Sequence, residues 1–170
     1  MERSTAPLIH GALSTASAAE TRAIGAALGR AARPGLAIAL VGPLGAGKTQ
    51  LAKGVAEGLG VRSVVNSPTF ILMNEHAGRL RLFHVDAYRL GDPEEALAAG
   101  LLDEREADGV TVIEWADRLD GWLPLDRLDI EIRPLDGADG ETDRRAIAWQ
   151  ATGALSREVA AQASEEWDRP

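Results

Sequence analysis

The sequence of 170 residues contains no cysteine. This absence excludes disulfides, thiolate metal sites and a thiol nucleophile, and it fits a protein that works in a reducing interior. The chain also lacks any stretch that approaches the ~20 consecutive apolar residues of a membrane span, and no apolar run near its N-terminus has the length of a signal peptide. We therefore expect a soluble, cytoplasmic protein that makes no membrane contact.

Positive charge is also scarce, with 18 Lys and Arg against 26 Asp and Glu and a net charge of −8. This balance argues against charge-driven binding of free nucleic acid, although a local basic patch or a basic partner protein remains compatible with it. Lysine is especially rare: Lys48 and Lys53 stand against sixteen arginines. Length and composition otherwise predict one globular domain over residues 1–170.

The stretch that organises the chain is Gly42-Pro43-Leu44-Gly45-Ala46-Gly47-Lys48-Thr49, which has the pattern G-x-x-x-x-G-K-T. A short apolar run over 36–41 precedes it and predicts a buried parallel strand. Leu51, Val55 and Leu59 follow at steps of four and predict one face of a helix. A strand, this loop and a helix together are what a phosphate-binding loop requires.

Each residue type in this loop has a chemical reason. Glycines let backbone N–H groups point at one anion, and the start of the following helix adds its positive dipole end. Lys48 would bring a full charge to the β- and γ-phosphates, and Thr49 would offer its hydroxyl to Mg²⁺. A compact ammonium suits such a cradle better than a guanidinium, which explains a lysine in this arginine-rich chain. The predicted phosphate-binding set is Gly42, Leu44, Gly45, Ala46, Gly47, Lys48, Thr49 and Gln50.

Strands and helices alternate along the rest of the chain. Ser17-Ala18-Ala19-Glu20 has the spacing of a capping box and predicts a helix that ends near Ala32, with Ile24, Leu28 and Ala31 inward. Asp92-Pro93-Glu94-Glu95 predicts a short helix that ends at Gly100, and a last helix is predicted from Leu155 to about Trp167. Residues 1–16 predict only a short strand near Leu8-Ile9 and then a loop. Further strands are predicted over 69–73, 80–86, 110–114, 128–132 and 145–151.

This pattern predicts an α/β fold of the P-loop NTPase type, with a central, mainly parallel sheet flanked by helices and added antiparallel hairpins. A phosphate-binding loop also needs an acidic residue at the end of a neighbouring strand, which holds Mg²⁺ directly or through water. Glu114 ends the apolar run 110–113, and Asp86 ends a more alternating run. We assign Glu114 to the metal and Asp86 to a role near the γ-phosphate or its attacking water, against the ordinary role of such acids in helix caps and solvated turns.

Other residues have two interpretations each. Ser67 and Thr69 follow the phosphate-binding loop where switch-like segments contact γ-phosphate and Mg²⁺, and a Ser-Pro turn that opens a strand explains them equally well. His84 lies on the same strand face as Asp86, and we interpret it as a hydrogen-bonded, half-buried histidine rather than a catalytic one. Trp115 either stacks on a base or fills the core, and composition favours the core.

Five blocks, in this order and spacing, resemble those of the TsaE (YjeE) family. They are the phosphate-binding loop, Ser67-Pro68-Thr69-Phe70, Phe83-His84-Val85-Asp86-Ala87-Tyr88-Arg89-Leu90, Asp92-Pro93-Glu94-Glu95 and Ile113-Glu114-Trp115. The similarity covers roughly residues 17–153 and leaves the C-terminal helix or tail, 154–170, outside. The phosphate-binding loop alone is shared by many families, so the resemblance depends on the whole set.

Members of this family are small bacterial ATPases of the tRNA threonylcarbamoyladenosine pathway. The resemblance implies that this chain binds ATP and Mg²⁺, hydrolyses ATP slowly without partners, and acts on TsaB- and TsaD-type proteins. Those partners move a threonylcarbamoyl group to N6 of adenosine at tRNA position 37, so contact with tRNA is indirect. The resemblance also implies that hydrolysis resets or opens the complex, and it leaves the oligomeric state unknown.

Carried over residue by residue, the resemblance implies that residues 45–49 bind phosphate, that Thr49 and Glu114 bind Mg²⁺, and that Asp86 is needed for hydrolysis together with Lys48. It places Ser67 and Thr69 in the switch-like segment and Trp115 near the nucleotide. It also implies an arginine near the nucleotide at the start of the last strand, where Arg145 fits the alternation best and Arg144 is the alternative.

The chain departs from the family pattern at two positions. Pro43 stands where the family usually has Asp, which removes a carboxylate and one backbone N–H donor near the site. Gln50 stands where Thr or Ser is frequent. Either change could alter ATP affinity or turnover.

Three other functions compete with this one, and the sequence argues against two of them. A small-molecule kinase needs an acceptor pocket and an arginine-bearing lid, and no convincing lid segment precedes Glu114. A guanine-specific GTPase needs an N-K-x-D block, which is absent because neither lysine follows an asparagine. A nucleotide-gated binding module with little hydrolysis stays possible because of Pro43.

Overall fold

The computed structural model describes residues 10–66, 73–88, 90, 94, 108–135 and 143–168. Within them, seven strands form one sheet: β1 (His10–Thr15), β2 (Ala37–Val41), β3 (Met73–His76), β4 (Leu82–Asp86), β5 (Val110–Glu114), β6 (Leu128–Pro134) and β7 (Arg145–Ala151). The described helices are α1 (Ala18–Ala31), α2 (Lys48–Gly58) and α3 (Ala154–Trp167), together with a 3₁₀ helix over Ala116–Leu119.

The strand order is β1-β7-β6-β2-β5-β4-β3. The four central strands, β6, β2, β5 and β4, run parallel, whereas β1 and β7 on one side and β3 on the other are antiparallel to their neighbours. The predicted fold class is therefore confirmed: a parallel core flanked by helices carries antiparallel additions. Because parallel strands end at the same sheet edge, the ends of β2, β5 and β4 bring their following residues together.

Hydrophobic residues pack on both faces of the sheet. On β2, Ile38 and Leu40 belong to a large cluster with α1, α2 and α3, and Ala39 belongs to a smaller cluster with Ile113 and Leu119. Successive residues of a strand point to opposite faces, so β2 is buried on both, as its apolar run predicted.

The start of α1 is capped as its sequence predicted. The Ser17 Oγ accepts a hydrogen bond from the Glu20 backbone N–H at 3.1 Å. The Glu20 carboxylate accepts from the Ala16 N–H at 2.6 Å, one residue before the position that a standard capping box uses. The inward residues of this helix, Ile24, Leu28 and Ala31, are buried.

Helices α1 and α2 pack at very close range. A Cβ added to any of four glycines would lie 2.0–2.2 Å from a backbone oxygen of the opposite helix. These glycines are spaced four residues apart on both helices: Gly25 and Gly29 on α1, and Gly54 and Gly58 on α2. The contact therefore needs glycine for its lack of a side chain.

The structure corrects two boundaries. Residues 10–15 form β1, where the sequence predicted a loop, because this weakly patterned segment pairs with β7 along its length and Gly11 leaves room for the Trp149 ring. β3 runs to His76, whereas the sequence predicted a turn from that residue. Parts of the prediction lie outside the described residues: the strand near Leu8-Ile9, the strand residues before Met73, most of the helix after Asp92 and most of the acidic turn 134–143.

Helix α3 spans Ala154–Trp167, close to its predicted range. Val159, Ala160 and Ala163 are buried in the large cluster, so the helix is part of the core. None of the helices within the described ranges has both the length and the apolar character that crossing a membrane requires.

Candidate functional site

The phosphate-binding loop connects the end of β2 to the start of α2. Gly47, the residue before the helix, has φ of +110°, a left-handed conformation that favours glycine. Gly42 allows a close approach, because a Cβ there would lie 2.3 Å from the Ile132 carbonyl oxygen. The loop thus curls onto β6, and α2 points its N-terminus at the space that the loop encloses, an arrangement suited to an anion.

Lys48 extends into this loop and is only 4% exposed. Its ammonium donates to the carbonyl oxygens of Gly42 at 2.7 Å and Pro43 at 2.9 Å, and it lies 4.0 Å from the centre of the Trp115 ring. Burial lowers the pKa of Lys48, and the nearby carboxylates, of which Glu114 contributes most, oppose that shift. The ammonium is therefore held within the loop by carbonyls and an aromatic face.

Glu114 ends β5, which lies beside β2, and its carboxylate is almost fully buried. One oxygen, Oε1, accepts a hydrogen bond from the Thr49 hydroxyl at 2.9 Å. The other, Oε2, lies 2.5 Å from His84 Nε2 on β4. The structure therefore brings together the two residues that the sequence assigned to Mg²⁺ and adds a histidine to them.

Asp86 ends β4 in register with Glu114. Its carboxylate accepts a hydrogen bond from the Tyr88 N–H at 2.9 Å. Burial raises the pKa of Asp86, and the negative charge of Glu114 acts in the same direction, while the Tyr88 hydrogen bond and Lys48 oppose them. A carboxyl with a raised pKa is a better proton acceptor than an ordinary aspartate.

Trp115 lies at the mouth of the site. It has φ of +57°, which is rare for a residue other than glycine, and this conformation lets the chain turn from β5 into the 3₁₀ helix. Its ring is half-buried and packs against Tyr88, with the ring centres 4.8 Å apart. The core interpretation is therefore incomplete, because this ring also borders the phosphate-binding loop.

The two candidate arginines are placed differently. Arg145 donates from Nε to the Ala46 carbonyl at 2.7 Å and from Nη2 to the Gly45 carbonyl at 3.3 Å. Arg144 is exposed. Arg145 thus contacts the backbone of the phosphate-binding loop, as the alternation of β7 favoured.

Most of these residues line one cavity of about 420 Å³. Its lining comes from the loop, from α2 and from the ends of β4 and β5: Leu44, Gly45, Ala46, Gly47, Lys48, Thr49, Gln50, Asp86, Tyr88, Glu114 and Trp115. Gly42 begins the loop and approaches the Ile132 carbonyl of β6, and Arg145 contacts the loop backbone at Ala46. Ser67 and Thr69 lie outside the described residues.

The comparisons with known proteins agree with one another. A family model described as threonylcarbamoyl adenosine biosynthesis protein TsaE matches residues 15–145. The tRNA threonylcarbamoyladenosine biosynthesis protein TsaE of Bacillus subtilis is 42% identical over 135 residues, which cover 79% of this chain and 81% of that protein. The protein of the same name from Treponema pallidum is 40% identical and covers 75% of this chain and 93% of its own length.

The chain belongs to the TsaE family. The crystal structure of Bacillus subtilis YdiB is similar to this fold, with a TM-score of 0.75 and 31% identity over 95% of this chain and 99% of that one. The family model ends at Arg145, the first residue of β7, so α3 lies beyond its matched range.

Two residues in this TsaE chain were missed or underestimated from the sequence. His84 is hydrogen-bonded as interpreted, but it is fully buried rather than half-buried, and its partner, the buried acid Glu114, was not predicted. No pattern within one strand reveals this contact, which follows from the parallel register: His84 lies opposite Val112, which shares a sheet face with Glu114. Tyr88, in the third of the five blocks, lines the cavity beside Trp115 but was given no role.

The residues of this TsaE site fit a triphosphate and Mg²⁺. The loop offers a helix N-terminus and an ammonium to an anion. The Thr49 hydroxyl and the Glu114 carboxylate are hard oxygen donors only 2.9 Å apart, and Mg²⁺ prefers such donors. At Gly45 a Cβ would meet nothing within 4 Å, so the loop has room on its open side.

Proposed function

We propose that this protein binds ATP with Mg²⁺ at the phosphate-binding loop and hydrolyses it. The observation that carries the proposal is the placement of Lys48 and Thr49, at the start of α2, across one cavity from Asp86 and Glu114. This is the combination of cation, hydroxyl and strand-end carboxylates that phosphoryl chemistry needs. The assignment of ATP rather than another nucleotide rests on membership of the TsaE family.

Each side chain has a distinct part in this proposal. Lys48 turns from the Gly42 and Pro43 carbonyls toward the β- and γ-phosphates, exchanging two neutral acceptors for charged ones. Thr49 and Glu114 hold Mg²⁺, which neutralises phosphate charge when it is bound. Asp86 orients the attacking water and accepts its proton, a role that its raised pKa favours.

The remaining predicted residues support the nucleotide. Backbone groups of residues 42–47 form the cradle, with Leu44 and Gln50 at its rim. Trp115 forms one wall of the cavity. Arg145 steadies the loop through the Gly45 and Ala46 carbonyls. Ser67 and Thr69 contact the γ-phosphate and Mg²⁺ in the same proposal.

We further propose that the consequence of hydrolysis is a conformational change in TsaB- and TsaD-type partners during formation of N6-threonylcarbamoyladenosine at tRNA position 37. Membership of a family described by threonylcarbamoyl adenosine biosynthesis supports this part. The net charge of −8 also favours contact with tRNA through partners over direct binding.

The first experiment measures ATP binding by calorimetry in Lys48→Ala. Loss of a charge-assisted hydrogen bond costs about 1.5–3 kcal/mol, so we expect affinity to fall by roughly 10–150-fold. Lys53→Ala is the matched control, because Lys53 is the only other lysine in the sequence and does not line the cavity. Equal affinity of Lys48→Ala and wild type would remove the assignment of the loop.

The second experiment addresses the partners. The purified protein is mixed with TsaB, TsaD, tRNA and the threonylcarbamoyl donor, and modified adenosine is measured over several turnovers. Wild type with ATP and Mg²⁺ should sustain modification, and Lys48→Ala should not. Sustained modification without this protein would contradict its proposed place in the cycle.

Pro43 supports a second candidate, a binding module that is gated by the nucleotide and hydrolyses little. Its ring removes a backbone N–H from the cradle, and its carbonyl is engaged by Lys48 and by the Ala46 N–H at 3.1 Å. In this case ATP and a non-hydrolysable analogue would promote partner binding equally, and the analogue would also support repeated turnovers.

A further inference from the structure

Of the charged and polar groups that the structure describes beside the site, His84 is the most deeply buried. His84 lies on the central strand β4, two residues before Asp86, and its side chain has no solvent exposure. Its Nε2 is 2.5 Å from Glu114 Oε2, and Glu114 Oε1 accepts from the Thr49 hydroxyl at 2.9 Å. The histidine therefore contacts the carboxylate oxygen that does not face Thr49.

The hydrogen bond has one chemically sensible direction when Glu114 is ionised. The carboxylate can only accept, so His84 Nε2 carries the proton and donates it. His84 Nδ1 is buried and has no hydrogen-bond partner among the described residues. When the proton is on Nε2, Nδ1 carries only a lone pair. A buried lone pair without a donor costs less than a buried N–H without an acceptor.

This arrangement separates the two oxygens of Glu114. Oε2 is occupied from the buried side by the His84 ring, which lies on the same sheet face, and Oε1 is directed to Thr49 at the cavity. A second partner of this kind fixes the orientation of a metal-binding group. It also disfavours use of both carboxylate oxygens on one cation.

We propose that His84 is a positioning residue that restricts Glu114 to single-oxygen coordination and thereby makes the site select Mg²⁺ over Ca²⁺. Mg²⁺ is small, takes single oxygens in octahedral geometry and keeps several waters, whereas Ca²⁺ readily takes both oxygens of one carboxylate. The inference rests on the proposed function, because the cation in question is the one that accompanies ATP.

The test follows ATP binding by calorimetry at increasing Mg²⁺ and, separately, at increasing Ca²⁺. His84→Leu removes the donor, and we expect the Mg²⁺ midpoint to rise about 10–100-fold, as loss of such supporting contacts does at other metal sites. The Ca²⁺ midpoint should rise much less or fall, so that the preference for Mg²⁺ declines at least about tenfold. ATP affinity without a divalent cation should stay unchanged, because Lys48 and the loop remain.

Two more variants separate positioning from packing. His84→Gln can place an amide N–H near the position of Nε2 and should retain most of the Mg²⁺ preference, whereas the shorter His84→Asn should behave as His84→Leu. His76→Leu is the matched control: His76 is also buried on a strand, but its Nδ1 lies 2.8 Å from Ser63 Oγ, so its hydrogen bond goes to a residue outside the site. It should leave both midpoints unchanged.

The outcomes are distinguishable. Absence of ATP binding by wild type would overturn the proposed function itself. Normal wild-type binding with an unchanged Mg²⁺ preference in folded His84→Leu or His84→Asn would overturn only this inference. Loss of preference in His84→Gln equal to that in His84→Asn would also overturn it. If His84→Leu fails to fold, as melting curves would show, the Gln and Asn pair still decides.

Discussion

Asp86 is the residue whose charge the fold disfavours and whose chemistry the proposed function needs. Its pKa is raised mainly by burial, yet it lies at the cavity beside Glu114. We predict that Asp86→Asn leaves ATP affinity near wild type, because the amide oxygen still accepts from the Tyr88 N–H. Hydrolysis should fall about 10²-fold or more, since the amide cannot accept a proton. Single-turnover hydrolysis with radiolabelled ATP measures the change.

Asp117→Asn is the matched control for charge, because Asp117 also raises the pKa of Lys48 through space but is exposed and does not line the cavity. It should keep hydrolysis within about twofold of wild type, as expected of a surface substitution. Turnover that persisted in Asp86→Asn and vanished only in Glu114→Ala would show that Asp86 has no catalytic role.

The same pKa shift predicts the stability of Asp86→Asn. A carboxyl whose folded pKa is raised adds stability below its unfolded pKa and loses that contribution as pH rises through the folded value. At neutral pH the ionised Asp86 is thus a cost to the fold. The melting temperature of Asp86→Asn at pH 7 should equal or exceed that of wild type, as is common at functional sites.

For single residues, the sequence predicted the location of the site where a short motif or the end of a strand marks it. The G-x-x-x-x-G-K-T pattern located Lys48 and Thr49, and the rule that strand ends meet located Asp86 and Glu114. His84 escaped because its partner lies on another strand, and only the register between β4 and β5 shows the contact. The functional roles of all these residues remain predictions.

Between elements, the crossing of α1 and α2 depends closely on residue identity. Four glycines let the two backbones touch, and this contact fixes the helix that begins with Lys48. Alanine has the higher helix propensity, by about 1 kcal/mol, so an isolated helix would gain from each replacement. We therefore expect the packing cost of alanine at these positions to exceed its gain in helix propensity.

We predict that Gly54→Ala destabilises the protein. Its Cβ would lie 2.0 Å from the Arg22 carbonyl oxygen, which belongs to the backbone and cannot rotate away. Overpacking of this kind costs about 1–3 kcal/mol, and the helices must separate to relieve it. Subtracting the gain of about 1 kcal/mol in helix propensity leaves a net loss of about 1 kcal/mol, or a fall in melting temperature of roughly 2–4 °C, which thermal unfolding measures.

Lys53→Ala controls for the introduction of alanine into the same helix at a half-buried position. It should change the free energy of unfolding by no more than about 0.5 kcal/mol. If Gly54→Ala is as stable as wild type, the two helices can move apart without a free-energy cost, and the close contact does not require glycine.

The elements themselves were predictable where hydrophobic periodicity is strong. β2, β5, β7 and α1 lie within a residue of their predicted bounds, because apolar runs, alternation and the Ser17 cap are local signals. β1 was missed because it consists mostly of small or polar residues and is held by pairing with β7. The glycine contact was missed because nothing in either helix alone reveals its partner.

At the scale of the whole molecule, α3 packs the C-terminal segment against the core. Its buried residues join α1 in the large cluster, and Trp167 donates from its indole to the Ile24 carbonyl at 3.3 Å. The helix is anchored at its start by Asp126, which precedes β6: its carboxylate accepts from the Leu155 N–H at 2.8 Å and the Ser156 N–H at 3.0 Å. A loop and a terminal helix are thus joined by one side chain.

We predict that Asp126→Ala lowers the free energy of unfolding by about 1–2 kcal/mol at pH 7, the usual cost of a lost helix N-cap with its favourable charge. The pKa of Asp126 is lowered, because its hydrogen bonds to Ser156 and Leu155 outweigh its partial burial. A carboxyl with a depressed folded pKa adds stability above its unfolded pKa, near 3.8, and loses it as pH falls through the folded value. The difference in the free energy of unfolding between wild type and Asp126→Ala should therefore be constant near neutral pH and should decrease below the unfolded pKa. Urea unfolding at stepwise lower pH would show this.

Asp126→Asn separates the hydrogen bonds from the charge, because its amide oxygen can still accept but cannot titrate. It should retain part of the stability at pH 7, and its advantage over Asp126→Ala should not change with pH. Asp129→Ala removes a nearby, partly exposed carboxylate that pairs with Arg127 at 2.8 Å, and it should cost roughly 0–1 kcal/mol. Parallel acid-unfolding curves for wild type and Asp126→Ala would contradict the cap, because they would show that the Asp126 carboxylate is no better stabilised in the folded chain than in the unfolded one.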